Sequence, residues 1–305
     1  MEIISGKTAY KETRKSAVAV GYFDGMHVGH MALIRAMLTA AEAGGLASVL
    51  LTFDMSSFRA EGKGTQDLIT RAQKVRIAEE TGVEYFAEIP FEKVRDLSPE
   101  KFVEQVLGSD FLKAEIVCIG TDFRFGKGRK GSAEDLVRIG KDAGFRTLTV
   151  EEVCVGDTIV STSAIKELIR DGRIGEADVM LGYPYRIEGT VIHGNHLAAG
   201  MGFPTANLLI PKETVPPRRG VYLSRTLIGA ESYKSITNIG TRPTVTEDTE
   251  PTAETHLLDF SEDLYGKSVA VLLYEFIRPE QRFSSAEDLI RTVRANIEYA
   301  ESKDY

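Results

Sequence analysis

From residue 17 to about residue 160 the chain alternates between short unbroken apolar runs and longer stretches whose apolar positions recur every three or four residues. "SAVAVGYF" (16–23), "LASVLLTF" (46–53) and "AEIVCIG" (114–120) are apolar on both faces, the pattern of parallel strands covered by helices. Between the first two, "HMALIRAMLTAAEAGG" (30–45) places Leu33, Ile34, Met37, Leu38 and Ala41 on one helical face and ends in Gly44 and Gly45, which suit a left-handed cap. That is a βαβ unit. Ser98 before Pro99 and Glu100, and Ser132 with Asp135 three residues on, mark two more helix starts. The pattern predicts a doubly wound parallel α/β sheet.

After Gly182 the period shortens. "YRIEGTVIHG", "FPTANLLI", "GVYLSRTLI", "SYKSITNIG", "AETHLLDF" and "KSVAVLLYEFI" read as six alternating strands separated by Gly, Pro and acidic turns, which predicts a small antiparallel six-stranded β-barrel. "SSAEDLIRTVRANIEYA" then predicts a C-terminal helix opened by Ser285, with Asp288 at the capping-box position and Leu289, Val293 and Ile297 on one side. The boundary is expected near residue 183, giving domains at 1–183 and 184–305. No internal repeat or low-complexity tract interrupts them.

Composition acts mainly by exclusion. The 305 residues, 43% hydrophobic and 27% charged, suffice for two cored domains. No apolar stretch reaches bilayer-spanning length, and "MEIISGKTAYKETRKS" lacks the basic, apolar and small-residue succession of a secretory leader, so a cytoplasmic protein without a membrane partner is expected. A net charge of −8 argues against nucleic-acid partners, which need clustered Lys and Arg. Any anionic ligand must be held locally. Cys118 and Cys154 stand in apolar surroundings without CxxC spacing and are expected to be buried small hydrophobes.

"GYFDGMHVGH" (21–30) falls where the first strand turns into the first helix, a junction whose unpaired amides and helix dipole attract anions. Gly21, Gly25 and Gly29 leave room for close approach of a ligand to the main chain, while His27 and His30 can donate to phosphate oxygens without a permanent charge. Two such imidazoles also serve as helix caps. A zinc site needs further ligands, and the other histidines, His193, His196 and His256, fall in the second domain. "GTDFRFGKGRKG" (120–131) sets Arg124, Lys127, Arg129 and Lys130 among aromatics and glycines, the composition of a solvated basic loop or of a lid over a nucleotide.

"GYFDGMHVGH" resembles the GxFDGxHxGH signature of the HxGH nucleotidyltransferases, and "GTDFRFGKGRKG" resembles the second signature of the FMN adenylyltransferase half of bacterial bifunctional riboflavin kinase/FAD synthetases. In the second domain "GFPTANL" (202–208), "GVY" (220–222), "NIGTRPT" (238–244) and "ETHLLDF" (254–260) resemble the riboflavin kinase barrel of the same family. The resemblance implies two ATP- and Mg2+-dependent steps: riboflavin to FMN in 184–305, then FMN to FAD with release of pyrophosphate in 1–183. It implies that His27 and His30 act on the triphosphate, with Gly21, Phe23, Asp24, Gly25 and Gly29 shaping the nucleotide pocket. Asp122, Phe123, Arg124 and Gly126 would contact flavin. In the barrel it implies nucleotide contacts at Gly202 and Pro204, metal and phosphate coordination by Thr205 and Asn207, and Glu254 as the base that takes the proton of the riboflavin 5′-hydroxyl.

Several positions depart from the family pattern, among them "TFDMSSF" (52–58), without the Pro and His the family tends to carry after "TFD", and Asn296, where family members often have an acidic residue. The family's third adenylyltransferase signature, ISSTRIR, reads "VSTSAIK" here: Ser161, Thr162 and Ser163 keep hydroxyls at a helix start, but Ala164 and Lys166 replace two arginines. Before "GFPTAN", Ala198 and Ala199 replace a Gly-Arg pair. Two alternatives follow, a single active module or a flavin- or nucleotide-binding regulator without catalysis. The retained Glu254, His27 and His30 favour the enzyme, since a pure binder needs no base and no groups aimed at a transition state.

Overall fold

The structure, a computed structural model, describes residues 1–5, 10–61, 65–108, 111–193, 203–243 and 249–305. The chain divides into two units, Met1–Thr162 and Ser163–Tyr305. In the first, β1 (Glu2–Ser5) precedes β2 (Ser16–Val20), α1 (Val28–Gly44) and β3 (Ala47–Asp54), followed by α2 (Ser56–Ala60), α3 (Arg71–Glu80) and β4 (Tyr85–Pro90). Then come α4 (Pro99–Phe102), which runs into a π-helical turn at Val103–Leu107, β5 (Ala114–Gly120), α5 (Ala133–Ala143), β6 (Arg146–Val150) and a two-residue hairpin of β7 (Cys154–Val155) and β8 (Thr158–Ile159).

The apolar runs behave as the pattern predicts. All five residues of β2 and the first six of β3 are buried, because helices cover the sheet. Strands run in the order β1-β4-β3-β2-β5-β6, all parallel. The chain winds outward from β2 through β3 to β4, then returns to place β5 on the other side of β2. The order therefore reverses between β2 and β5, the place where open α/β sheets bind ligands at the carboxyl ends of their strands. Gly45 caps α1 at φ 59°, and Ser132 and Asp135 close a reciprocal capping box on α5. The expectation for Cys154 fails: Cys118 is fully buried in β5, but Cys154 lies exposed in a strand too short to have a covered face.

In the second unit α6 (Thr162–Asp171, starting one residue before the division) and α7 (Ile174–Leu181) lead into β9 (Arg186–Thr190), β10 (Ala206–Leu209), β11 (Gly220–Ile228), β12 (Glu231–Pro243), β13 (Thr249–Leu257), β14 (Ser268–Arg278) and α8 (Ala286–Ser302). The antiparallel order β10-β13-β12-β11-β14-β9 is brought nearly to closure by a bridge between Ile192 and Asn207. Five fully buried hydroxyls, Thr226, Ser235, Ser224, Thr237 and Thr255, form one chain of hydrogen bonds of 2.8 to 3.0 Å across β11, β12 and β13. A satisfied buried network of this kind holds strand register. Ser285 caps α8 by accepting from the Asp288 amide, while the Asp288 carboxylate takes the Ser284 hydroxyl, so half of the expected box forms.

Candidate active sites

Residues 21–30 lie at the carboxyl end of β2, beside the point where strand order reverses. The segment folds back tightly: Phe23, Gly25 and Met26 have φ of 54°, 81° and 42°. Two of these are bulky residues in the left-handed region, a strained arrangement that surrounding contacts must impose. Asp24, 1% exposed, supplies one such contact, since its Oδ1 accepts from the Leu68 amide at 2.6 Å. Its carbonyl accepts from the Thr162 hydroxyl at 3.3 Å, tying the "STS" segment to the turn. Ser161 immediately precedes that contact; Lys166 is buried further along α6.

His27 is the N-cap of α1, with its Nδ1 accepting from the His30 amide at 3.3 Å. A neutral His27 therefore carries its proton on Nε2. The two imidazoles stack with centroids 3.6 Å apart and planes 18° apart, and Phe23 meets His30 edge-on at 5.2 Å. Burial lowers the His27 pKa to about 4, and burial, His27 and Lys74 together hold His30 well below its ordinary value. The pair is uncharged near neutral pH. The His30 Nδ1 is buried without a hydrogen-bond partner. The spaces beside Gly21 and Gly29 are occupied by the chain's own rings: a Cβ at Gly21 would lie 3.1 Å from Phe23, and one at Gly29 3.2 Å from His27. These glycines make room for neighbouring side chains. Phe23 itself is fully buried.

Residues 120–131 lie at the carboxyl end of β5, the strand next to β2. Phe125 and Gly131 exchange backbone hydrogen bonds of 3.1 and 2.9 Å, which closes the loop on itself. Phe125 is buried and stacks on the half-buried Phe123 with centroids 5.7 Å apart. Gly126 adopts φ 70° against Pro99, where a Cβ would come within 2.9 Å. Asp122, Arg124, Lys127, Arg129 and Lys130 are exposed. A basic rim around an aromatic pair suits a planar ring carrying phosphate.

In the barrel, Asn207 pairs with Glu254 across β10 and β13, and Glu254 with Asn238 across β13 and β12. The alternation of side chains along strands puts these three polar residues in one row on one face. Asn207 is 7% exposed and its Nδ2 donates to the Thr205 carbonyl and Oγ1, each at 3.3 Å. The exposed Pro204 uses its carbonyl to accept from His256 Nδ1 at 2.9 Å. A cavity of ≈ 260 Å³ opens beside Thr205, with Val191, Leu257, Phe260, Leu264 and Tyr265 on its walls. Gly202, Ala198 and Ala199 lie outside the described residues.

Two features escaped the sequence reading. Asn238 joins the row only through strand register. Lys74 stands among Tyr22, Asp24, Asp67 and His30 at the back of the first turn; a signal existed, since Lys74 shares the buried face of α3 with Ile77 and Ala78.

Comparison with known proteins defines the class first: a sequence profile described as FAD synthetase matches residues 9–164, and one described as riboflavin kinase matches residues 181–303. Together they describe a two-module enzyme. Similar relatives named bifunctional riboflavin kinase/FMN adenylyltransferase occur in Escherichia coli (strain K12), 34% identical over 89% of this chain and 87% of that one, and in Bacillus subtilis (strain 168), 33% identical over 93% and 90%. The relative of the same name in Haemophilus influenzae is 32% identical over 99% of both chains. A crystal structure described as a macrolide-efflux protein from Streptococcus pneumoniae matches 100% of both chains at 28% identity, with a TM-score of 0.88. This chain belongs to the bifunctional riboflavin kinase/FMN adenylyltransferase family. Among the described residues no helix is long and apolar enough to cross a membrane.

Proposed function

We propose that the chain makes FAD from riboflavin in two ATP-dependent steps, with residues 184–305 phosphorylating riboflavin and residues 1–183 adenylylating the FMN. The observation that carries the second assignment is the pair of loops, 21–30 and 120–131, at the ends of the two strands flanking the reversal of strand order. An FMN phosphate oxygen attacks the α-phosphorus of ATP, a P–O bond forms, the α–β bridge breaks and pyrophosphate leaves. No side chain is consumed in that exchange, so the rate comes from alignment and charge stabilisation. The neutral His27 offers its Nε2 proton to the triphosphate, and the first amides of α1 lie beside it. Ser161 and Thr162 extend the phosphate site, while Phe123, with Asp122, Arg124 and Gly126 around it, meets the flavin.

For the kinase, Glu254 accepts the proton of the riboflavin 5′-hydroxyl as its oxygen attacks the γ-phosphorus of ATP and ADP leaves. The apolar cavity beside Thr205 takes the ATP base, and Pro204 borders it. A magnesium ion fits the adjoining donors. With Asn207 Nδ2 committed to Thr205, the Asn207 Oδ1 and the Thr205 hydroxyl present two hard oxygens, and water and phosphate oxygens complete the set that this cation prefers. A magnesium ion held by these two oxygens would supply neutralisation of polyphosphate charge. Incubating the purified chain with ATP, Mg2+ and either riboflavin or FMN, followed by flavin chromatography, tests the assignment: FMN and FAD are expected from riboflavin and FAD from FMN, and absence of both products overturns it.

A further inference from the structure

We propose that Lys74 is a positioning residue for adenylyl transfer, fixing the left-handed turn at residues 23–26 from its start at Tyr22 and holding a positive charge behind His30. The inference rests on the adenylyl-transfer reading above.

Lys74 is 6% exposed on α3. Its ammonium donates to the Tyr22 carbonyl at 2.8 Å and lies 4.3 Å from the centroid of the Tyr22 ring. It makes no ion pair among the described residues, because each nearby carboxylate has another partner. Asp24 accepts from the Leu68 amide at 2.6 Å. Asp67 is held by Arg59 at 2.7 Å and by the Tyr22 phenol at 2.8 Å, and Glu88 is held by Arg71 at 2.6 Å. A buried ammonium costs desolvation that an apolar residue of the same length avoids, so a purely space-filling role is disfavoured at this position.

What Lys74 holds is the start of the strained segment. The Tyr22 carbonyl accepts both Lys74 Nζ and the Thr52 hydroxyl, at 2.8 and 3.0 Å, which fixes the peptide plane from which Phe23 enters φ 54°. Tyr22 is immobilised at its other end by Asp67 and Arg59, so carbonyl, ring and phenol are all pinned. Burial holds the Lys74 pKa below its ordinary value, and the ammonium in turn opposes a charge on His30. The groups facing it are Asp24 from the turn, His30 from α1, Arg59 from α2, Asp67 from the segment before α3 and Glu88 from β4.

The test compares Lys74→Gln, a neutral side chain that still carries a donor, with Lys74→Arg, which keeps the cation. In full-length Lys74→Gln, FAD turnover from supplied FMN should fall about 30-fold, with FMN formation from riboflavin within about twofold of wild type. The acid limb of its FAD pH–rate profile should move up by about half a pH unit, because His30 loses a neighbouring cation and takes a proton more readily. Lys74→Arg should keep the limb in place and hold turnover within about fivefold of wild type. Lys74→Gln turnover within about threefold of wild type, an unmoved limb, or Lys74→Arg as impaired as Lys74→Gln overturns the proposal. If melting shows that Lys74→Gln loses the fold, Lys74→Arg decides alone by the same two criteria. Wild-type protein assayed alongside separates the two claims: no FAD from wild type refutes adenylyl transfer itself, whereas FAD from wild type and Lys74→Gln alike refutes only the role of Lys74.

Discussion

In the first unit the candidate site is gathered from loops at the ends of parallel strands; in the second it stands as one row across antiparallel strands, Asn207, Glu254 and Asn238. The first gathers main-chain amides and two stacked neutral imidazoles, with a buried lysine behind the turn. The second sets Glu254 between Asn207 and Asn238 in that row. The difference follows from the chemistry assigned to each. An FMN phosphate is already an anionic nucleophile, so its site needs alignment and charge dispersal, whereas a riboflavin hydroxyl must surrender a proton.

The sharpest way to break this contrast is to remove the base assigned to the barrel. Glu254→Gln should lower FMN formation about a thousandfold and leave FAD formation from supplied FMN unchanged, as read by flavin chromatography. A parallel fall in both activities would merge the two sites. His30→Ala should lower FAD formation about a hundredfold, roughly 3 kcal/mol of barrier, while FMN still forms. Unaltered FAD synthesis would remove His30 from the site.

Stability against pH should also separate the units. The folded pKa of His27, about 4, lies below the ordinary 6.5, so folding excludes a proton that the unfolded chain binds. Its contribution is complete above pH 6.5 and declines toward pH 4, with about 2 kcal/mol lost by pH 5. His27→Gln should flatten that acid decline in denaturant titrations. Asp178 on α7 has the opposite sign: burial raises its pKa from 3.8 to about 7, although it accepts the Tyr185 amide at 2.8 Å. Its folded form keeps a proton that the unfolded chain releases, so stability is full below pH 3.8 and declines as pH rises through 7. Asp178→Asn should stabilise the second unit at pH 8 by roughly 4 kcal/mol and leave it little changed at pH 4. Equal stability of Asp178→Asn and wild type at pH 8 would contradict a desolvated carboxyl there.

What was legible in the sequence is what depends on neighbours along the chain. Apolar runs marked β2, β3 and β5, Gly45 marked the end of α1, and Ser132 with Asp135 marked the start of α5. The two nucleotidyltransferase signatures could be found because each is a contiguous loop. Asn238 opens the "NIGTRPT" motif, but its place beside Glu254 was not legible, since it depends on how β12 registers with β13. Nor did glycine content distinguish space for a ligand from space for Phe23 and His27. Cys154 was misjudged for a related reason: an apolar local pattern says nothing of whether a two-residue strand will be covered.

The division of labour between the units is tested most directly by mixing Glu254→Gln with His30→Ala in the presence of riboflavin, ATP and Mg2+. Each variant alone should make little FAD, with His30→Ala accumulating FMN, and the mixture should restore FAD synthesis as FMN passes through solution from one protein to the other. Failure of the mixture to make FAD, with His30→Ala yielding no FMN, would contradict the account.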